Sequence, residues 1–172
     1  MDTSNYWQKT TDKLLAQGDY LPRCLVPVFT PEFGDGEHDV PTSEFDLIVL
    51  TQSCDLENSK VRLVACSPIH SLVSFETVNP KFAQKGKWEE VRKGRIEGLH
   101  MLGSATEPEN NRDALVVDFR EIYSLPFIYL TSHAGGIGER WRLQSPFLEH
   151  FSQAFARFFM RVGLPALIPP FT

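Results

Sequence analysis

Cysteine is scarce in this chain, and its pattern argues against a disulfide framework and against a structural zinc site. The 172 residues include three cysteines, Cys24, Cys54 and Cys66, which cannot all be paired with one another. None of them are spaced as Cys-x-x-Cys, the arrangement that structural zinc sites commonly use. Because free thiols are typical of a reducing compartment, we expect a cytoplasmic protein without a bound metal or other cofactor.

Long apolar runs are also missing. No stretch approaches the roughly 20 apolar residues of a membrane-spanning helix. The first residues, Met-Asp-Thr-Ser-Asn-Tyr-Trp, show no basic segment followed by an apolar one. We therefore expect no membrane partner. A chain of 172 residues is long enough for one domain with its own hydrophobic core, and we predict a single domain over residues 1–172.

Positive charge is in deficit overall, but it is concentrated locally. The net charge is −5, which argues weakly against a nucleic-acid-binding protein. Residues 30–46 contain six acids and no Lys or Arg, and their "DGEHD" segment lacks the alternating oxygen ligands of a calcium loop. Residues 81–95 contain six basic residues against two acids, a local charge of +4. This basic segment indicates either a site for an anionic partner or a solvated helix face.

Hydrophobic periodicity predicts an α+β arrangement. The pattern of residues 1–18 favours an N-terminal amphipathic helix with Trp7, Leu14 and Leu15 on one face. "FDLIVLTQ" and "VRLVACSPI" are β-rich runs separated by polar residues, and they predict a hairpin at the centre of the sheet. Further strands are expected in "ALVVDFR", "EIYSLPFIYLTSH" and "ERWRLQ", with "AGGIG" as a loop.

The clearest single element is a C-terminal helix within residues 144–163. Ser145 and Pro146 are favourable residues for a helix start, and Gly163 for its end. Phe147, Phe151 and Phe155 recur at helical spacing. Such an aromatic stripe is typical of a helix that packs on a core.

From Gly18 to Ile69 the order of patterns resembles the MazF/PemK family of toxin ribonucleases. The segments concerned are "GDYLPRCLVPVFTPEFGDG", "EFDLIVLTQ" and "CDLENSKVRLVACSPI". The resemblance implies a strongly bent, partly closed SH3-like (PemK-like) antiparallel β-barrel over residues 19–143. The N-terminal helix and the long C-terminal aromatic helix would then flank this barrel.

The resemblance also implies where ribonuclease chemistry would lie. Family members carry an arginine just before the second strand, which positions the scissile phosphate, and a hydroxyl after the third strand that Ser67 would match. Here the arginine's place reads Glu44-Phe45-Asp46, and the two acids would repel a phosphate. The expectation is therefore a toxin-like barrel without intact toxin ribonuclease chemistry.

Cys54 is the candidate catalytic residue. The strand pattern ends at "TQSCD", where a thiol can reach solvent from a rigid support. A catalytic thiol needs a base and an orienting group, for which we single out His100 and Asp55. The alternative is that Cys54 is a small packed residue and that Asp55 begins a turn with Asn58.

Five basic residues are candidates for binding nucleic acid or another anion: Arg92, Lys93, Arg95, Arg140 and Arg142. Residues two apart in a strand share a face, so Arg140 and Arg142 should project together beside Trp141. Charge next to an aromatic ring suits single-stranded RNA. The alternative is a buried Trp141 between two solvated arginines.

Three functional hypotheses remain open. The first is a barrel module that binds RNA or a protein partner in a bacterial toxin-like or defence-like system. The second is a hydrolase centred on Cys54. The third is a structural subunit that forms a homodimer.

Overall fold

The computed structural model describes residues 6–34, 40–58, 60–105 and 111–160. The acidic "DGEHD" segment therefore lies outside the described residues. The strands are β1 Trp7–Thr10, β2 Tyr20–Pro27, β3 Thr42–Val49, β4 Leu63–Ser71, β5 Leu99–Leu102, β6 Leu115–Asp118, β7 Tyr123–Pro126 and β8 Arg140–Leu143. The α-helices are α1 Ser53–Glu57, α2 Leu72–Val78, α3 Lys87–Arg92, α4 Phe127–Ile137 and α5 Phe147–Phe159, with short 3-10 turns at Pro31–Gly34, Pro80–Ala83 and Asn111–Asp113.

Six strands form an antiparallel sheet in the order β2-β3-β4-β6-β5, with β7 paired to β4 beside β6. β7 pairs with residues 63–66 of β4 and β6 with residues 69–71, so both use the same edge of this long strand. The α+β class and the antiparallel pairing are confirmed. Within the described residues no sheet closes on itself, and the structure does not support a partly closed SH3-like barrel.

The predicted central hairpin is present. β3 pairs with β4 through Leu47 opposite Pro68 and Val49 opposite Cys66, and all four residues are buried. The connection between the strands contains the short helix α1, whose Leu56 packs into the core. The chain therefore makes a helical turn, not a tight hairpin turn, between the two strands.

The predicted N-terminal helix is wrong over the residues that are described. β1 occupies Trp7–Thr10 and pairs with β8. Trp7 is fully buried, and its indole Nε1 donates a hydrogen bond to the carbonyl oxygen of Gly103 at 2.8 Å. Long-range pairing with a strand near the other end of the chain overrides the local helical pattern. Residues 1–5 of the predicted helix lie outside the described part.

Gly18 joins the two-stranded β1-β8 sheet to the six-stranded one. Its N–H donates to the Val49 carbonyl at 2.9 Å, and its carbonyl accepts from the Leu143 N–H at 3.0 Å. Its φ of +82° favours glycine, and an added Cβ would lie 2.9 Å from the Leu143 Cβ. Contacts to both sheets thus fix the backbone conformation of the Gln-Gly-Asp segment around Gly18.

The C-terminal helix is confirmed as α5. Its N-cap is Pro146 and not Ser145, and the predicted end at Gly163 lies outside the described residues. Phe151 is fully buried, and its ring centroid lies 5.5 Å from that of Phe119, just after β6. Phe155 and Phe158 also contact Phe119. The aromatic stripe therefore packs α5 against the end of the sheet that contains β5 and β6.

The segment "EIYSLPFIYLTSH" is a strand only in its first part. β7 ends at Pro126, and α4 then continues through Gly135 and Gly136, so the prediction of a strand followed by an "AGGIG" loop is wrong. α4 buries Leu130 and Ala134 against β2 and β4, and this packing outweighs the low helix propensity of the two glycines. In the described part of the chain no helix combines the length and apolarity that crossing a membrane requires.

Candidate ligand-binding groove

A cavity of about 520 Å³ opens beside β5, between α3 and α5. We call it the edge groove, and define it by Arg92, Lys93, Leu99, His100, Met101 and Arg157. β5 is the last strand of the described sheet order, so the groove follows a sheet edge. Gly98 leads into β5 with a φ of +81°, and an added Cβ would lie 2.7 Å from the Arg120 side chain.

The two faces of β5 are covered by different helices. Leu99 and Met101 pack in a cluster with Val91 of α3 and residues of α2. His100 points to the opposite face, toward Phe151 of α5. The groove thus has a strand edge as its floor and one helix on each side.

His100 is held between aromatic rings in this groove. Its ring centroid lies 6.0 Å from that of Phe119 and 5.9 Å from that of Phe151. Burial, and secondarily the nearby charge of His150, lowers the pKa of His100 to about 4. The imidazole is therefore neutral at neutral pH, and no hydrogen bond joins it to any other described residue.

Three of the predicted anion-binding residues lie at or next to the groove. Arg92 donates two hydrogen bonds to Glu89, at 2.8 and 2.7 Å, and the Lys93 ammonium lies 3.1 Å from the same carboxylate. These contacts hold the pKa of Glu89 at about 2. Arg95 pairs with Glu90 at 3.0 Å and does not line the cavity. All of these pairs are largely exposed, so water and ligands compete for them.

α5 supplies two groove residues that the sequence reasoning missed, His150 and Arg157. They are seven residues apart and lie on one face of the helix. Arg157 makes no ion pair with any residue in the described ranges. The sequence does contain this seven-residue spacing, but it was not recognised because the aromatic stripe is the dominant pattern of this segment.

Arg140 and Arg142 point inward onto Asp19, away from any anion in solvent. Arg140 is 3% exposed and donates to the Asp19 carboxylate at 3.1 and 2.9 Å, while Asp19 itself is fully buried. Arg142 donates to both Asp19 oxygens, and both arginines also donate to the Leu14 carbonyl. Trp141 is half-buried, with the Lys9 ammonium 5.3 Å from its ring centroid. The two arginines do share a face, as expected, but they stabilise the fold from within.

Cys54 lies in α1, beyond the end of β3, and is an exposed free thiol. Its sulfur lies 3.8 Å from Gln52 Oε1 and 3.9 Å from Asp55 Oδ1. Asn58 donates to the Cys54 carbonyl at 2.6 Å, and not to Asp55 as the alternative hypothesis had it. Because the thiol is exposed, the alternative of a packed Cys54 is also wrong. Among the described residues the thiol has no histidine partner.

His100 belongs to a different part of the sheet from Cys54. β4 and β6 separate β3 from β5. Three strand spacings amount to about 14 Å. The side chains of Cys54 and His100 make no contact with each other. The structure therefore brings Cys54 and Asp55 together on one helix and does not bring His100 to them.

Ser67, where the resemblance implies a hydroxyl for ribonuclease chemistry, is completely buried. Its hydroxyl lies 2.6 Å from the Asp118 carbonyl oxygen, to which it donates, and so links β4 to the end of β6. Asp46 accepts hydrogen bonds from the Tyr20 hydroxyl and from the Arg23 N–H, and Glu44 pairs with the Arg23 side chain at 3.0 Å. These groups are engaged within the fold.

No group of three or more His, Cys, Asp or Glu side chains within residues 6–34, 40–58, 60–105 and 111–160 is arranged to hold a metal ion. No protein-family model, curated protein or solved structure matches the chain. The resemblance to the MazF/PemK family therefore stays a prediction. The candidate site rests on the geometry of the edge groove alone.

Proposed function

We propose that this domain is a binding module that holds a negatively charged partner macromolecule in the edge groove. One observation carries the proposal: two helices from distant parts of the sequence direct cationic side chains to one cavity. Arg92 and Lys93 come from α3 and its C-terminal end, and Arg157 comes from α5. Glu97 is the single carboxylate among the described residues that line it.

This local charge stands out in a chain whose net charge is −5. Arg92, Lys93 and Arg157 outnumber Glu97 in the lining, and a concave site in which one sign of charge predominates raises the local concentration of ligands of the opposite sign. Because the cations lie at the surface, the attraction should weaken strongly as salt is added. A role in a toxin-like or defence-like system stays a prediction for this module.

The other two hypotheses have less support. A hydrolase centred on Cys54 lacks the base that we expected, since His100 lies in the groove. A homodimer would be supported by contacts between two copies of the chain, and a single chain provides none. The edge groove is thus the best-supported site, and its proposed function is to bind an anionic partner macromolecule.

The test measures equilibrium binding of two labelled polyanions, a short oligothymidylate and poly-L-glutamate, at several salt concentrations. We expect at least one to bind at low salt and to dissociate as salt rises. Arg157→Ala should weaken that binding by about fivefold, the factor that one lost contact between unit charges in water produces. Lys87→Ala is the matched control, because Lys87 is an exposed cation on α3 that does not line the cavity.

If neither polyanion binds at low salt, the proposed function is wrong. The same conclusion follows if Lys87→Ala and Arg157→Ala weaken binding equally, because the effect would then come from overall charge and not from the groove.

A further inference from the structure

The outer edge of β5 presents backbone groups to the edge groove. β5 pairs with β6 with Leu99 opposite Asp118 and His100 opposite Val117. The Phe119 N–H donates to the Gly98 carbonyl at 2.7 Å, which makes Gly98 and Phe119 a hydrogen-bonded pair. Hydrogen-bonded and non-hydrogen-bonded pairs alternate along an antiparallel ladder. His100 and Leu102 therefore face β6, and the N–H and C=O groups of Leu99 and Met101 face the groove.

These outward groups have no hydrogen-bond partner among the described residues. Two donors and two acceptors thus line the floor of the groove, in the spacing that an additional strand would match. Unpaired edge groups of this kind are a template for another extended chain.

The opposite edge of the same sheet is closed to such pairing. There the Leu25 N–H of β2 donates to the Tyr129 hydroxyl at 2.7 Å, and His133 Nε2 donates to the Pro22 carbonyl at 2.8 Å. Both partners come from α4, which covers this edge. Within the described residues, side chains thus protect one sheet edge, and the other is open at Leu99 and Met101, between two helices.

We propose that an acidic, extended segment of a partner protein adds to β5 as a further strand in the edge groove. This proposal rests on the proposed function and specifies its ligand. Side chains of an added strand alternate between the two faces of the sheet. Those on one face would meet Arg92 of α3 and Lys93 just after it, and those on the other would meet His150 and Arg157 on α5.

A peptide fits this edge better than DNA does. The outward carbonyls of Leu99 and Met101 need donors, and a peptide backbone offers alternating N–H and C=O groups. A phosphodiester backbone offers acceptors only, so its oxygens would face carbonyl oxygens on the groove floor. Acidic side chains on a peptide satisfy the cations and leave its backbone free to pair.

The experiment uses the full chain, labelled with ¹⁵N, and a short peptide of alternating Glu and Val. We expect the peptide to slow hydrogen exchange at the Leu99 and Met101 amides by about tenfold or more. The His100 and Leu102 amides, which already face β6, should change little and provide an internal control. A Lys-Val peptide tests the charge, and a Glu-Val peptide N-methylated at alternate residues tests the backbone pairing; both should bind at least about tenfold more weakly.

Met101→Pro removes one outward donor from the edge, where proline is tolerated because no internal ladder bond is lost. We expect it to weaken the Glu-Val peptide severalfold while the remaining amide spectrum stays folded. If this variant does not fold, the N-methylated peptide still tests the pairing on the unaltered protein.

Binding of the N-methylated peptide as tightly as the unmodified one would overturn strand addition. Oligothymidylate binding in the groove without binding of the Glu-Val peptide would also overturn it, and would leave the proposed anion-binding function standing. If neither probe binds, both proposals fail.

Discussion

Two carboxylates in this protein each hold two cations, in opposite surroundings. Asp19 accepts hydrogen bonds from Arg140 and Arg142 and is fully buried. Glu89 accepts from Arg92 and pairs with Lys93, and its side chain is 44% exposed. In the sequence both sets of cations had the same interpretation, as candidates for binding an anion.

Burial is what separates the two clusters. The Asp19 cluster is largely buried, so its charges depend mainly on one another and on the Leu14 carbonyl. Removing one member of such a group leaves an uncompensated charge in a region of low dielectric. The Glu89 cluster remains hydrated, so its cations can exchange Glu89 for water or for a ligand at little cost. We therefore expect a charge cluster to bind an external ligand only where the fold leaves the cluster exposed to solvent.

The largest expected effect comes from changing each acid to its amide. Asp19→Asn should lower the free energy of unfolding by about 3 to 5 kcal/mol, because Arg140 stays buried without a counter-charge and Arg142 keeps only the exposed Asp12 carboxylate, at 3.4 Å. Glu89→Gln should leave it nearly unchanged, because its cations are solvated. Urea unfolding of the two variants and of the unaltered chain provides the measurement.

The two substitutions are matched in size and in the charge they remove. Similar losses of stability for both variants would contradict the distinction drawn between the clusters. A small loss for Asp19→Asn alone would mean that the buried arginines find other partners.

Burial is also the reason why the sequence predicted some features and not others. The β3-β4 pairing and α5 follow from dense local patterns of apolar residues, and both were confirmed. The predictions of an N-terminal helix and of an "AGGIG" loop were wrong because contacts with residues distant in the sequence determine the structure of both segments. β8 pairs with β1, and α4 packs on the sheet. Neither partner is visible within a local window of sequence.

The candidate site was partly predictable for the same reason. The basic segment 81–95 and His100 were identified from residue type, and Arg92, Lys93 and His100 do line the groove. The contribution of α5 depends on the angle at which that helix crosses the sheet. The open edge of β5 depends on strand order, which the sequence does not reveal.

A second expected effect concerns pH and His100. Its folded-state pKa of about 4 is lower than the ordinary value of 6.5, so between these values the unfolded chain binds the proton more readily. Stability contributed by the neutral imidazole is thus present above about pH 6.5 and is lost as pH falls toward 4. Between pH 7 and pH 5 the loss should reach about 2 kcal/mol.

His100→Gln should remove this part of the pH dependence. His70 also has a pKa lowered by burial, so it contributes in the same direction, but it does so equally in both proteins and cancels in the difference. Glu76 and Glu89 have pKa values of about 2, so they titrate mainly below pH 5, and they do so equally in both proteins. An unchanged difference between pH 7 and pH 5 in the variant would show that His100 is hydrated.

The smallest expected effect is a gain in binding. If the edge groove holds an anionic partner, Glu89 competes with that partner for Arg92 and Lys93. Glu89→Gln should therefore strengthen binding of poly-L-glutamate or oligothymidylate, whichever binds the unaltered chain, by roughly two- to fivefold at low salt. The gain should disappear at high salt, where exposed charges are screened. Glu57→Gln removes an equal charge from α1, which does not line the groove, and a similar gain in that variant would attribute the effect to net charge and not to the two released cations.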